Sequence, residues 1–233
     1  MSVKLLAAVL VLAAAGTASL SGAPDNVCAA TLTCDAGLSV RHDEDNRIMR
    51  VERVGTYDSL TMMAVGNVYY TQSDNVTVRI IGPSSLVDDI DVDCSEGHLT
   101  IKRRLGKAGD SEVHDVKILL TAPALDYVNI GGIARFKADG TWNADRLTLV
   151  VDKVGDIDID GLTCRTLSVS IDGVGEADID VRCDSVATSI GGVGKIKLHG
   201  SAHHVSTRYT GIGKTYTKGL KITGGHDGHH RDE

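Results

Sequence analysis

Six carboxylates recur at regular spacing in the middle of the chain. Asp156, Asp158 and Asp160 occupy every second position of one segment, and an equivalent acidic set follows 20 residues later. That second set is Glu176, Asp178 and Asp180. Alternate residues of a β-strand point to the same face, so two adjacent strands would gather all six acids on one surface. At equivalent positions of the next segment stand Lys195 and Lys197.

Two kinds of chemistry use carboxylates this close together. A hard cation such as Ca²⁺ is held by carboxylate oxygens, and Asp158 above Asp178 is the candidate pair, because adjacent strands lie about 5 Å apart. Glycoside hydrolysis needs two acids about 5 to 9 Å apart. A third interpretation needs no cofactor: basic residues above and below neutralise the acids in mixed-charge ladders. We favour this one, and predict no catalytic residue and no bound cofactor, with Ca²⁺ as the open alternative.

The segments that carry these acids belong to a repeat. Similar corners read DKVGDIDI, DGVGEADI, GGVGKIKL and TGIGKTYT. One equivalent corner position, at spacings of 21, 20, 19 and 19, is occupied by Ile133, Val154, Val174, Val193 and Ile212. Alternation within each segment and recurrence about every 20 residues predict an all-β fold, a single-chain β-solenoid of the parallel β-helix kind, which we expect to be right-handed. The corner glycine recurs because every coil must turn at the same place.

Composition agrees with a ladder-packed interior. Aromatic residues make up 3% of the chain against 42% hydrophobic residues, so the core must consist mainly of Val, Ile, Leu and Ala. The 26 glycines and three prolines indicate many turns. The formal net charge of −7 excludes the basic footprint of a nucleic-acid-binding protein.

The ends of the chain differ from the repeat. A single lysine, an apolar run and small residues over 1–18 are typical of a signal peptide, so we expect an exported protein with no membrane span after cleavage. We interpret 19–49 as a polar linker, 50–220 as the solenoid domain, and 221–233 as a disordered His-rich tail. The periplasm, the outer cell surface and secretion all remain possible compartments.

Five cysteines in an exported chain permit disulfides and leave one over. Cys164 and Cys183 fall at equivalent positions of adjacent coils, where their Cα atoms would lie near the separation that a disulfide needs. Cys28 and Cys34 are close enough in sequence to close a small loop. We favour these two bonds and an unpaired Cys94, with two stacked, buried thiols at Cys164 and Cys183 as the open alternative. The connectivity of the five cysteines does not follow from the sequence.

Several stretches resemble the head GIN domain family, a group of bacterial exported proteins described as auto-transporter adhesins. The opening RVERVGTYDSLTMMAVGNVYYTQSDNVTVRIIG, the middle EGHLTIKRR with VKILLTAPALDYVNIGG, and the repeated Gly-Val-Gly corners carry the resemblance. It implies a β-helix-like fold and an envelope or surface location. It supplies no agreed catalytic residues, so none is transferred to this chain.

These observations favour a non-catalytic extracytoplasmic, adhesin-like module that binds a surface polysaccharide or an envelope protein. The candidate ligand face comprises Asp156, Asp158, Asp160, Glu176, Asp178, Asp180, Lys195 and Lys197. Two alternatives stay open: a polysaccharide lyase or hydrolase on a β-helix scaffold, and a purely structural spacer. The identity of the ligand and the oligomeric state do not follow from the sequence.

Overall fold

The computed structural model describes residues 38–42, 47–104 and 116–229, and almost all of them form β-structure. The strands are β1 (Leu38–His42), β2 (Arg47–Glu52), β3 (Ser59–Met62), β4 (Val65–Gln72), β5 (Thr77–Pro83), β6 (Ile90–Ser95), β7 (His98–Arg103), β8 (Lys117–Ala122), β9 (Tyr127–Ile130), β10 (Ile133–Ala138), β11 (Trp142–Val151), β12 (Val154–Ile171), β13 (Val174–Ile190), β14 (Val193–Tyr209) and β15 (Ile212–His229). One short helix, α1 (Ser84–Val87), follows β5.

The second half of the chain is a β-solenoid of about 5 turns with roughly 20 residues per turn, as the repeat predicts. We number its coils 1 (133–151), 2 (154–171), 3 (174–190), 4 (193–209) and 5 (212–229). Each coil pairs in parallel with the next, and the corner residues stand in register from Ile133 to Ile212. Each coil runs along one face of the solenoid, bends, and returns along a second face.

The upper end is closed by strands of another kind. On the first face, β5 pairs antiparallel with β8, and β2 and β1 continue outward from it. On the second face, β6 pairs antiparallel with β7. Below them, β4 lies between β8 and β10, and β3 lies between β7 and β9. The N-terminal strands therefore form both upper coils and a cap.

Strands extend into two segments that lie outside the predicted solenoid domain. β1 and the start of β2 lie within 19–49, which we interpret from the sequence as a polar linker. β15 continues through residue 229, so much of the expected disordered tail is a strand that pairs with β14. In both places the backbone N–H and C=O groups form hydrogen bonds with a neighbouring strand. The polar side chains of these segments give no sign of that pairing. The expected signal peptide, 1–18, lies outside the described residues.

The interior consists of ladders of inward side chains. Ile157, Ile179 and Leu198 are nearly or fully inaccessible to solvent, and their neighbours along each strand point outward. The upper coils are filled by the aromatic pair Tyr70 and Trp142, whose ring centroids lie 4.8 Å apart. Because the interior is packed with side chains, a partner of any size must bind to the outer surface.

Glycine at the corner has a steric reason. A Cβ on Gly155 would lie 2.7 Å from the carbonyl oxygen of Ala134, and a Cβ on Gly175 would collide with the carbonyl oxygen of Gly155. The backbones of successive coils meet here more closely than any side chain permits. The corner therefore fixes the position at which the first face of every coil begins.

Candidate binding surface

The structure gathers the six predicted carboxylates on one outward surface. We call it the charged face; it consists of the outward side chains of β10 and of the first parts of β12 to β15. Asp156 stands opposite Glu176, and Asp158 stands opposite Asp178, as predicted. Asp160 and Asp180 are exposed at the same edge, but a register shift between Ile159 and Leu162 leaves them without direct pairing.

Basic side chains of coil 1 neutralise the acids of coil 2. Arg135 Nη2 lies 3.2 Å from Asp156 Oδ2. Lys137 Nζ lies 3.1 Å from Asp139, 3.6 Å from Asp158 and 3.8 Å from Asp160. The hydrogen bond with Asp139 and the surrounding carboxylates raise the pKa of Lys137, which keeps its charge fixed.

Coil 4 neutralises the acids of coil 3 from below. Lys197 Nζ forms an ion pair with Glu176 and lies 3.6 Å from Asp178 Oδ2. The hydrogen bond from Lys197 lowers the pKa of Glu176. His199 Nε2 lies 3.3 Å from Asp178 Oδ1. The acids thus belong to mixed-charge ladders, the interpretation that we favoured from the sequence.

Outward residues at equivalent positions of successive coils form three columns, which begin at Arg135, Lys137 and Asp139. In the third column the repeat aligns Asp139, Asp160, Asp180, His199 and Lys218, and the structure departs from that alignment. The repeat places Lys218 below His199, but the structure pairs His199 with Gly219. A register shift between β14 and β15 after Lys197 causes the change. Lys218 is exposed nearby and lines a shallow groove with Lys197 and Tyr216. An irregularity of one residue at a strand bend is not visible in a pattern of alternating side chains.

The sequence analysis missed an apolar margin along this face. The corner side chains point outward, and we call them the apolar ridge: Ile133 (54% exposed), Val154 (44%), Val174 (51%), Val193 (47%) and Ile212 (75%). Strand alternation contained the signal, because Val154 lies two residues before the outward Asp156 and therefore shares its side of the strand. Shallow grooves separate the ridge from the first charged column, beside Gly155, Gly175 and Gly194.

The second face of the solenoid has a different surface. Most of its outward positions from the cap to coil 4 carry short hydroxyl side chains, and we call this surface the hydroxyl face. Its hydroxyl residues are Thr100, Ser59, Thr61, Thr148, Ser168, Ser170, Ser189 and Ser206, and the same columns also contain Tyr127, Asn129, Val150, Ala187 and Arg208. At its upper end His98 bridges two of them, with Nδ1 2.7 Å from Ser59 Oγ and Nε2 2.9 Å from Thr61 Oγ1.

Cys164 and Cys183 stand opposite each other at the bend between the two faces, as predicted. Both are free thiols in the structure, so the expected disulfide is absent there, and Cys94 is a free thiol as well. A hydrogen bond between the two thiols lowers the pKa of Cys183 to about 7. The same hydrogen bond, together with burial, raises the pKa of Cys164. The other expected pair, Cys28 and Cys34, lies outside the described residues.

Two searches of the described residues bear on metals and membranes. In 38–42, 47–104 and 116–229, no group of three or more His, Cys, Asp or Glu side chains is arranged to hold a metal ion. Ca²⁺ at Asp158 and Asp178 stays a prediction. Among the same residues, no helix has both the length and the apolar character that crossing a membrane requires.

Two of the solved structures with a similar architecture come from bacteria of the genera Bacteroides and Parabacteroides. A putative adhesin from Bacteroides fragilis NCTC 9343 is 24% identical, with a TM-score of 0.58 over 78% of this chain and 97% of its own. A putative lipid binding protein from Parabacteroides distasonis ATCC 8503 is 19% identical, with a TM-score of 0.66 over 76% of each chain. At these identities the likeness establishes the fold. No curated protein matches the chain.

A family model described as "Putative auto-transporter adhesin, head GIN domain" matches residues 56–179. The matched residues begin just before β3 and end in the first part of β13, after Glu176 and Asp178. The match covers more than half of the chain and agrees with the resemblance seen in the sequence. This protein belongs to the head GIN domain family.

Proposed function

We propose that this protein is a non-catalytic, extracytoplasmic binding module of the adhesin type that contacts a surface polymer or an envelope component through the charged face. One observation carries the proposal. The six acids and their basic neighbours lie on a continuous sheet surface, paired along the solenoid axis, beside an exposed apolar ridge. Such a surface offers long, regular contact to an extended partner, as solenoid surfaces do.

The state of the acids supports binding over catalysis. A glycosidase keeps one carboxyl protonated near a second, ionised one. Here the pKa of Glu176 is lowered by Lys197. The pKa of Asp160 is raised, mainly by desolvation, but its side chain is 58% exposed and lies 3.8 Å from Lys137 Nζ. The acids are thus held by lysines on an open surface, without the enclosure that acid catalysis requires.

The distribution of charge suggests the class of polymer. Coils 4 and 5 present Lys195, Lys197, Lys214 and Lys218 on one end of the face. An anionic polysaccharide, with carboxylates or phosphates repeated along its length, would gain charge-assisted contacts there. The solved neighbour named as a lipid binding protein makes anionic lipid head groups a second ligand with the same chemistry to test.

The experiment measures retention of the purified chain on neutral and acidic polysaccharides and on vesicles with anionic lipids, with Ca²⁺ and with chelator. The same tubes are assayed for new reducing or unsaturated ends. We expect retention on acidic polymers without cleavage, weakened by Lys195→Gln with Lys197→Gln. The matched control, Ser168→Gln with Ser170→Gln, changes the hydroxyl face and should leave retention intact. Cleavage of any polymer would contradict the proposal, as would equal losses in both variants.

A further inference from the structure

We propose that the charged face and its apolar ridge bind the same face of a second copy of this chain in an antiparallel, two-fold arrangement. The inference rests on the proposed function, because it names a partner for the same face. An adhesin with this property would connect two surfaces that both display it. The argument depends on the order of charges along the solenoid axis.

The first column of charges is self-complementary. From coil 2 to coil 5 its residues are Asp156, Glu176, Lys195 and Lys214, in direct register. Their signs read minus, minus, plus, plus. Reversed, the order becomes plus, plus, minus, minus, so each position opposes a residue of the other sign. Two copies laid antiparallel in this way would form four ion pairs from this column alone.

A simple symmetry operation produces this contact. The operation is a two-fold rotation about an axis that runs parallel to the strands and passes between coils 3 and 4. It places each column of one chain against the same column of the second chain, with the order of the coils reversed. It places Glu176 opposite Lys195 of the second copy, and Asp156 opposite Lys214 of the second copy. Such an isologous contact closes on itself and forms a dimer without extending further.

The second and third columns follow the same order. In the second column Asp178 would oppose Lys197 of the second copy, and Asp158 would oppose the hydroxyl of Tyr216. In the third column Asp180 would oppose His199 of the second copy. Every one of these pairs combines a carboxylate with a cation or a hydrogen-bond donor. The pattern thus holds for the first two columns and for one pair of the third.

The same two-fold axis brings the apolar ridges of the two copies into contact. Val174 would oppose Val193 of the second copy, and Val154 would oppose Ile212. All four side chains are at least 44% exposed in the single chain, so their mutual burial removes apolar surface from water. The ridge supplies attraction without directional preference, and the charges select the alignment.

Other alignments lose this match. If the axis passed through coil 3, Glu176 would oppose Glu176 of the second copy. If it passed through coil 4, Lys195 would oppose Lys195 of the second copy. Like charges directly opposed are unfavourable. Among the described residues, neither Lys195 nor Lys218 forms an ion pair within its own chain. Lys195 stands beside Glu176 of its own chain without forming an ion pair with it, so its ammonium group can reach Glu176 of a second copy.

The size of the contact indicates a weak dimer. Four coils spaced about 4.8 Å apart and four columns spaced about 6.6 Å apart cover about 500 Å² on each copy. The total of about 1,000 Å² lies below the range of stable complexes. We therefore expect association at high concentration, weakened by salt. Weak contacts of this kind gain strength when many copies are displayed together on one surface.

A charge-swap experiment tests the arrangement, with sedimentation velocity from micromolar to about millimolar concentration as the measurement. Glu176→Lys places two lysines opposite each other at both symmetric sites, and Lys195→Glu places two acids there. We expect wild type to associate and each variant alone to stay monomeric. An equimolar mixture of the two variants restores opposite charges at both sites, so the mixture should associate again. Val174→Asp, at the ridge, should also be monomeric.

Matched controls keep the result interpretable. Asp184→Lys and Arg208→Glu make the same charge changes away from the charged face and should associate like wild type. Thermal melting confirms that each variant is folded. A wild type that stays monomeric throughout, variants that associate like wild type, or a mixture that fails to associate would each overturn the inference. Retention of the monomeric Glu176→Lys variant, which keeps Lys195 and Lys197, on acidic polymer tests the proposed function separately, so either proposal can fail while the other stands.

Discussion

The two faces of the solenoid share one core but differ on the outside. In coils 2 and 3 the charged face carries six acids with lysines and an arginine against them. Its apolar margin is half exposed. The hydroxyl face of the same coils carries Ser168, Ser170 and Ser189 at its outward positions. Inward residues of both faces are almost completely buried, and most of them are aliphatic; the buried Thr188 is polar.

This difference shows which parts of the sequence the fold constrains. Inward positions and the corner glycine must be apolar or small, because coils stack about 4.8 Å apart. Outward positions tolerate either hydroxyls or charges, so packing does not explain the charged columns. Charges placed in order along the axis, beside exposed valines, are therefore the better candidate for binding.

The largest expected effect is on the free energy of unfolding, which should depend strongly on the corner glycine and little on the hydroxyl face. Gly175→Ala puts a Cβ against the carbonyl oxygen of Gly155, so the backbones of coils 2 and 3 must move apart. We expect a loss of about 3 kcal/mol or more of unfolding free energy. Ser189→Ala, in the same coil, should change it by less than about 0.5 kcal/mol. Denaturant titration of both variants measures the difference; equal midpoints would refute the steric account.

The next largest effect on stability is expected at the bend between the two faces, where a disulfide could form. Oxidation of the aligned thiols Cys164 and Cys183 would close a loop of about 20 residues and stabilise the fold by about 3 kcal/mol. We expect the oxidised chain to melt higher than the reduced chain, and Cys164→Ser to show no response to oxidant. Because the pKa of Cys183 is about 7, iodoacetamide should label it before Cys164 at neutral pH. Equal labelling of both would contradict this order.

A smaller effect comes from the ladders of charge. Lys197→Met leaves Glu176 and Asp178 without their shared cation. The pair is exposed to solvent, so we expect a loss of at most about 1 kcal/mol of unfolding free energy. Ser189→Met, on the hydroxyl face of coil 3, removes no charge interaction and serves as the control. A loss of the same size in both variants would show that the methionine itself causes it.

The smallest effect is a dependence on pH that only the charged face should show. The folded pKa of Glu176 is lowered by Lys197, so its contribution to stability is complete above the ordinary value of about 4.3. That contribution disappears as the pH falls through the lower, folded pKa. The difference in melting temperature between wild type and Lys197→Met should therefore narrow in acid. A difference that stays constant down to about pH 3 would contradict this assignment.

The sequence predicted the coils because the repeat and the alternation are both local. Val154, Val174 and Val193 recur with glycines after them, so equivalent residues must stack, and the first two charged columns follow. The ridge was predictable in principle from the same alternation. The thiols of Cys164 and Cys183 were placed correctly for the same reason, although the bond itself was not formed.

The sequence by itself thus determined the solenoid, its coil length and which residues share a face, since a strand repeats every two residues and each coil turns at its glycine. Only the tertiary structure decided three other features. They are the cap, in which β4 lies below the later strand β8; the register shift that moves Lys218 away from His199; and the strand of residues 221–229. Each depends on backbone pairing between distant segments or on an irregular bend, which no local pattern encodes.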